Sequence, residues 1–213
     1  MQVFSPPAVL ALKLGLIAAV CALALGAVTL YKFLPAPGGE RSPVQPIPFS
    51  HRHHVGDDGI DCRYCHWSVE KSSFAGIPST QVCMSCHSQL FTDAPVLAPL
   101  RESARTGRPL RWARVHTLPD FVFFDHSIHV AKGVSCVECH GRVDTMPQVR
   151  RVASLEMQWC LGCHRDPAPH LRPPAQVFDL AAPYPGAQMQ KALMKELHIA
   201  DVRRLTDCST CHR

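Results

Sequence analysis

The chain has 213 residues, of which 11 are Cys, 13 His and 19 Pro. That length suits one domain plus an appendage, and so much proline excludes a build of long helices or central strands. The formal net charge is +5, but no run of Lys and Arg interleaved with aromatics accompanies it, which argues against a nucleic-acid partner.

Residues 1–34 open the chain. Within them, 14–31 read LGLIAAVCALALGAVTLY, with no charge and no proline. With the apolar residues on either side, the run is long enough to span a bilayer, which takes about 20 residues. A cleaved signal peptide has an apolar region of about 7–15 residues, so an uncleaved transmembrane anchor is expected. Cys21 is read as a small apolar residue of that helix. Lys13 on one side and Lys32 and Arg41 on the other leave orientation undecided.

Residues 35–48, PAPGGERSPVQPIP, read as a Pro/Gly linker. A first module, 49–91, begins with FSHRHH and contains CRYCH and CMSCH. A basic Pro/Gly linker, 92–115, carries Arg101, Arg105, Arg108, Arg111 and Arg114. A second module, 116–166, contains FDHSIH, CVECH and CLGCH, and an extension, 167–213, ends in CSTCH. The modules repeat: His51 and His54 match His126 and His129, each 75 positions on, and Cys62 matches Cys136. Short helices are expected at STQVCMSCH and SLEMQWCLGCH, with Ser79 and Ser154 as N-caps. Met189, Leu193 and Leu197 form an apolar stripe expected to pack against the fifth motif.

Ten cysteines thus fall into five CxxCH motifs: Cys62, Cys65 and His66; Cys83, Cys86 and His87; Cys136, Cys139 and His140; Cys160, Cys163 and His164; Cys208, Cys211 and His212. A disulfide framework does not explain five histidines in register. The 17 residues between Cys65 and Cys83 and the 20 between Cys139 and Cys160 suit a zinc ribbon. Zinc, however, does not require His directly after the second Cys, and the fifth motif lacks a partner pair. Covalent heme c requires this spacing: two thiols bind one edge of the porphyrin, and the next residue swings beneath it to ligate iron. Five covalently bound hemes c are therefore expected. About 36 residues per motif follow Leu34, so the hemes must form much of the apolar core and lie close enough to pass electrons. Their propionates, about ten in all, would outweigh the positive charge.

Each iron needs a second ligand. His51 and His54, like His126 and His129, stand three apart on one helical face. Such a pair cannot take opposite faces of one iron, but it can reach two irons, with the preceding Phe packed on a ring. His53 points off that face. His116, among arginines able to pair with propionates, is the fifth distal candidate. His170, His198, Met146 and Met157 remain alternatives for one heme.

FxHxxH followed by CxxCH resembles the class III multiheme cytochromes c, in which both histidines are distal ligands. The N-terminal anchor, five CxxCH motifs, RVHTLPDFVFFDHSIHVAKGVSCVECHG and LEMQWCLGCHRDP further resemble the pentaheme cytochrome c component of alternative complex III. The likeness runs from about residue 46 to 167, and the remainder matches only through CSTCH. It implies a mainly coil protein with short α-helices, a core largely of heme, and one N-terminal transmembrane helix. It further implies an electron-transfer subunit of a quinol-oxidising respiratory or photosynthetic complex. Expected partners are an iron–sulfur subunit, integral membrane quinol-binding subunits and a periplasmic electron acceptor. The chain itself would hold no catalytic site. It would be single-pass in the inner membrane, with its N-terminus cytoplasmic and its hemes periplasmic. The alternatives are a stand-alone multiheme menaquinol dehydrogenase feeding a periplasmic reductase, and a multiheme reductase with a five-coordinate iron. All five motifs keep His, which disfavours the last.

Mass spectrometry of the denatured chain is expected to show five covalent hemes on a polypeptide still starting at Met1. A count of four would remove one motif from this reading.

Overall fold

The computed structural model describes residues 5–33 and 42–212, in two units divided near Gly39. The first is a single helix, α1 (Pro6–Phe33). Its prolines occupy the first turn, where a missing N–H costs nothing. It extends seven residues before Lys13, so that lysine lies inside the helix rather than beside it. The most apolar window within Pro6–Tyr31 has a mean hydropathy of 2.5, and the stretch is long and apolar enough to cross a membrane.

The second unit is mostly coil. In order come α2 (Cys62–Cys65), α3 (Thr80–His87), α4 (Ala98–Thr106), α5 (His126–Ala131), α6 (Val137–His140), α7 (Met157–Arg165), α8 (Ala187–Glu196), α9 (Val202–Leu205) and α10 (Cys208–Cys211). A π-helical turn, Arg52–Asp57, precedes α2. Among the described residues no strand ladder forms. The β pairing is two isolated bridges, Val122–His212 and Val134–Leu171. Aspartates start several turns: Asp61 accepts from Arg63 N, Asp125 from Ser127 N and Ile128 N, and Asp207 from Ser209 N.

Three features differ from the expected pattern. The linker 92–115 is helical over 95–106, and Gly107 ends α4 in the left-handed conformation that closes many helices. Ser79 precedes α3 but makes no side-chain cap bond, and α7 starts at Met157 behind Glu156, so Ser154 is not its cap. The far end of the 35–48 linker is pinned: Gln45 exchanges two hydrogen bonds with the Ala113 backbone, both at 2.9 Å. Residues 35–41 lie outside the described residues.

The apolar core is small. Leu100, Met146, Leu171, Val177 and Leu193 are buried, together with Arg172. Arg172 donates to Asp179 O at 2.7 Å and lies 4.1 Å over the Tyr184 ring, so its charge has two partners. The apolar stripe of α8 is split. Leu193 is buried, while Met189 stays half exposed. The helix packs on the turn Ala168–His170, and Leu197 approaches Gly133 beside α5, so its observed neighbours belong to the second module and its trailing loop.

The two modules meet where the π-turn crosses the loop after α6. Arg52 N donates to Met146 O at 3.0 Å, and a Cβ at Gly56 would collide with Asp144 O. Gly56→Ala is therefore expected to lower stability by about 1–3 kcal/mol, as overpacking does. A shifted denaturation midpoint would show it. An unchanged midpoint would mean that the modules do not meet there.

Candidate functional site

Each CxxCH is one helical turn. Motifs one, three and five form the short helices α2, α6 and α10, while motifs two and four occupy the C-terminal ends of α3 and α7. Cysteines three apart share a helix face, and His one residue on continues that face. The pattern short–long recurs in both modules.

The FxHxxH clusters repeat in three dimensions. Phe49 stands edge-on to His51 at 4.9 Å and stacks on His54 at 4.4 Å. Phe124 stands edge-on to His126 at 4.7 Å and stacks on His129 at 4.5 Å. The phenylalanine thus wedges the two imidazoles apart. His53, by contrast, faces Asp57 and Asp58.

Backbone carbonyls hold seven of these rings by Nδ1. His54 is held by Ser50 O (2.9 Å), His66 by Gly76 O (2.7 Å) and His87 by Leu90 O (3.2 Å). His126 is held by Ser73 O (2.8 Å), His129 by Asp125 O (2.7 Å), His164 by Leu205 O (2.8 Å) and His212 by Phe121 O (3.2 Å). A carbonyl only accepts, so Nδ1 carries the proton and Nε2 keeps its lone pair for a metal. Burial pushes His51 down to about 4, with the His66 and His54 rings adding to it. Burial likewise pushes His140 down to about 3, helped first by His116. Both rings are neutral at pH 7, the form that binds metal.

Three pairs stand a characteristic distance apart: His54–His87 and His129–His164 at 6.2 Å, and His126–His140 at 6.3 Å. With metal–nitrogen bonds of about 2 Å on each side plus the ring half-widths, two axial imidazoles stand with centroids roughly 6 Å apart. His116 lies 4.4 Å from His140, too near for a metal between them, and its buried Nε2 has no partner. The ring beside His212 is Phe121, at 5.9 Å. His170 Nδ1 is 2.6 Å from Glu138 Oε2, inside the third motif. Neither that carboxylate nor the carbonyls of Ser73, Leu205 and Phe121 had a signal in the sequence, because each joins residues far apart in the chain.

Among the described residues no three His, Cys, Asp or Glu side chains converge on one point as a zinc site requires. An iron porphyrin supplies four nitrogens itself and needs only two axial ligands, two thiols and apolar walls. The residues fit that group. Burial raises the Cys136 thiol to about 11, Cys139 to about 12 and Cys163 to about 11. Tyr64, Trp67, Phe74, Ile77, Phe121 and Ile128 present apolar surface near the motifs.

A coil-rich chain whose helical turns repeatedly present two thiols and a neutral imidazole is a multiheme cytochrome c. Comparison with known proteins agrees: the family described as "Cytochrome c7 and related cytochrome c" matches residues 122–213. The chain is 31% identical over 175 residues to the "Menaquinone reductase, multiheme cytochrome c subunit" of Nitratidesulfovibrio vulgaris strain Hildenborough. That alignment covers 79% of this chain and 77% of the relative. The chain belongs to this family of multiheme cytochromes c.

Proposed function

We propose that the chain is a pentaheme electron-transfer subunit of a quinone-linked membrane complex, held at the membrane by α1. The carrying observation is the set of imidazole pairs at metal-spanning distance, in which every ring but His140 is fixed by a backbone carbonyl. Cys62 and Cys65, Cys83 and Cys86, Cys136 and Cys139, Cys160 and Cys163, and Cys208 and Cys211 hold the five hemes. His66, His87, His140, His164 and His212 are the proximal ligands. His54 serves the second motif, His129 the fourth and His126 the third, following the ring spacings. His51 serves the first by the repeat, since His51 matches His126 and His66 matches His140. His116 is the remaining distal candidate. When bound, the hemes supply one-electron chemistry between ferric and ferrous iron. The chain's own residues hold the axial nitrogens in place, exclude water with apolar walls and keep the rings neutral.

The relative is named for menaquinone reduction, whereas the likeness to the pentaheme component of alternative complex III suggests quinol oxidation, with an iron–sulfur partner and a periplasmic acceptor. A wire of paired axial ligands serves either direction, and the potentials of its partners choose between them. In both arrangements the N-terminus is cytoplasmic and the hemes are periplasmic. A stand-alone quinol dehydrogenase would need an open iron beside the membrane. The low-spin pairs assigned here disfavour it.

Two experiments test this. Replacing the distal ligand in His129→Ala is expected to convert one heme to high spin by EPR while leaving the heme count unchanged. A parent-like spectrum would remove His129 as a ligand. The isolated chain is expected to be reduced by dithionite but not by a menaquinol analogue, and to become quinol-linked only within its complex. Rapid, inhibitor-sensitive reduction of the isolated chain by quinol would favour the dehydrogenase.

A further inference from the structure

We infer that the five motifs form one line in the order two, one, three, four, five, so that electrons enter and leave through motifs two and five. This rests on the heme reading above and adds to it the sequence of transfers.

The order follows from contacts between the motifs. Motif two touches motif one directly: Tyr64 Oη, inside CRYCH, hydrogen-bonds Ser85 Oγ, inside CMSCH, at 2.8 Å. Motif one meets motif three across the module junction. There Arg52 N donates to Met146 O, Gly56 abuts Asp144 O, and Ser73 O, just after motif one, holds His126, whose ring pairs with His140. Motif three meets motif four through Glu138, inside CVECH, which holds His170 just after CLGCH at 2.6 Å. Motif four meets motif five through Leu205 O, three residues before Cys208, which holds His164 at 2.8 Å.

The repeat explains the topology. Each module pairs its own two motifs, and the first motif of each module faces the other across the junction. The second motifs are thereby turned outward, and the extension adds motif five beyond motif four.

Exposure marks the ends. Of the ten motif cysteines, Cys86 in motif two and Cys208 in motif five are exposed, while the other eight are partly covered. Motif one, first in sequence, is interior to the line. Each transfer oxidises one iron and reduces the next, and no bond is made or broken. A one-electron donor at one end and a one-electron acceptor at the other complete the balance.

The test begins with iron positions in the heme-loaded chain, from iron-edge anomalous diffraction or electron microscopy. The nearest iron neighbours are expected to be two–one, one–three, three–four and four–five. An iron of motif two nearest to that of motif three, or an iron of motif five nearest to that of motif one, overturns the order. A kinetic test uses a photoactive ruthenium label on Gln89→Cys, an exposed site just past motif two, in a Cys21→Ala background. In the parent, a flash electron is expected to spread over all five hemes. In Cys62→Ala/Cys65→Ala, which lacks the motif-one heme, it is expected to stay on the motif-two heme. In Cys208→Ala/Cys211→Ala it is expected to spread over the remaining four. Unimpeded spread without the motif-one heme overturns the proposal, and if that variant fails to fold the iron positions decide. Fewer than five covalent hemes in the parent would defeat the heme reading itself, whereas five hemes with other neighbours would defeat only the order.

Discussion

The structure depends on one interaction repeated seven times: an imidazole Nδ1–H given to a backbone carbonyl. A free histidine ring turns about its side-chain bonds and offers either nitrogen. Once a carbonyl has taken Nδ1–H, the tautomer is settled and Nε2 points in a direction set by the main chain. Ligand geometry thereby becomes a property of the fold. Local carbonyls do this within the FxHxxH turns, where Ser50 holds His54 and Asp125 holds His129. The wedging Phe49 and Phe124 fix the other degree of freedom by stacking on the same rings.

This constraint accounts for the small peptide core. A chain that must present thiols, imidazoles and apolar walls to several prosthetic groups cannot also wrap itself around many of its own side chains. Long helices would separate the donors. One-turn helices started by Asp61, Asp125 and Asp207 instead place each donor set within a few residues and let the chain turn to the next. The buried aliphatic residues gather mainly in the trailing loop and α8, around Leu171, Val177 and Leu193. That region fastens the second module from behind.

Much of this was legible in the sequence because it is local. CxxCH is a local pattern, FxHxxH is a local pattern, and the repeat of 75 positions compares one local pattern with another. Burial leaves the rings of His51 and His140 neutral, the form that the ligand roles read from those patterns would require. What escaped the reading is long-range. The carbonyl on His164 comes from 41 residues away, and that on His212 from 91 residues away. Nothing in a heptapeptide announces which carbonyl will accept its proton. The helix over 98–106 was hidden by a composition of Pro, Gly and Arg, yet Leu100 and Ser103 bury against neighbours and hold it. His116, the fifth distal candidate, stands alone in the sequence. In space it crowds His140, and that proximity depends on how the second module turns back on itself.

The long-range anchors also decide how the unit can come together. His126 belongs to the second module, but the carbonyl that orients it belongs to the loop after motif one. His164 belongs to the second module, but its carbonyl lies in the extension, while His212 of the extension is oriented by Phe121 ahead of the second FxHxxH cluster. Each part therefore orients a histidine of another. Repeats joined in this way differ from a solenoid, whose units add nearly independent stabilities. Loss of one part here leaves a ring elsewhere free to turn, so order in one site is felt at the next. For a wire, whose rate depends on every centre keeping its place, such mutual anchoring holds neighbouring centres in one register while the chain between them remains mostly coil.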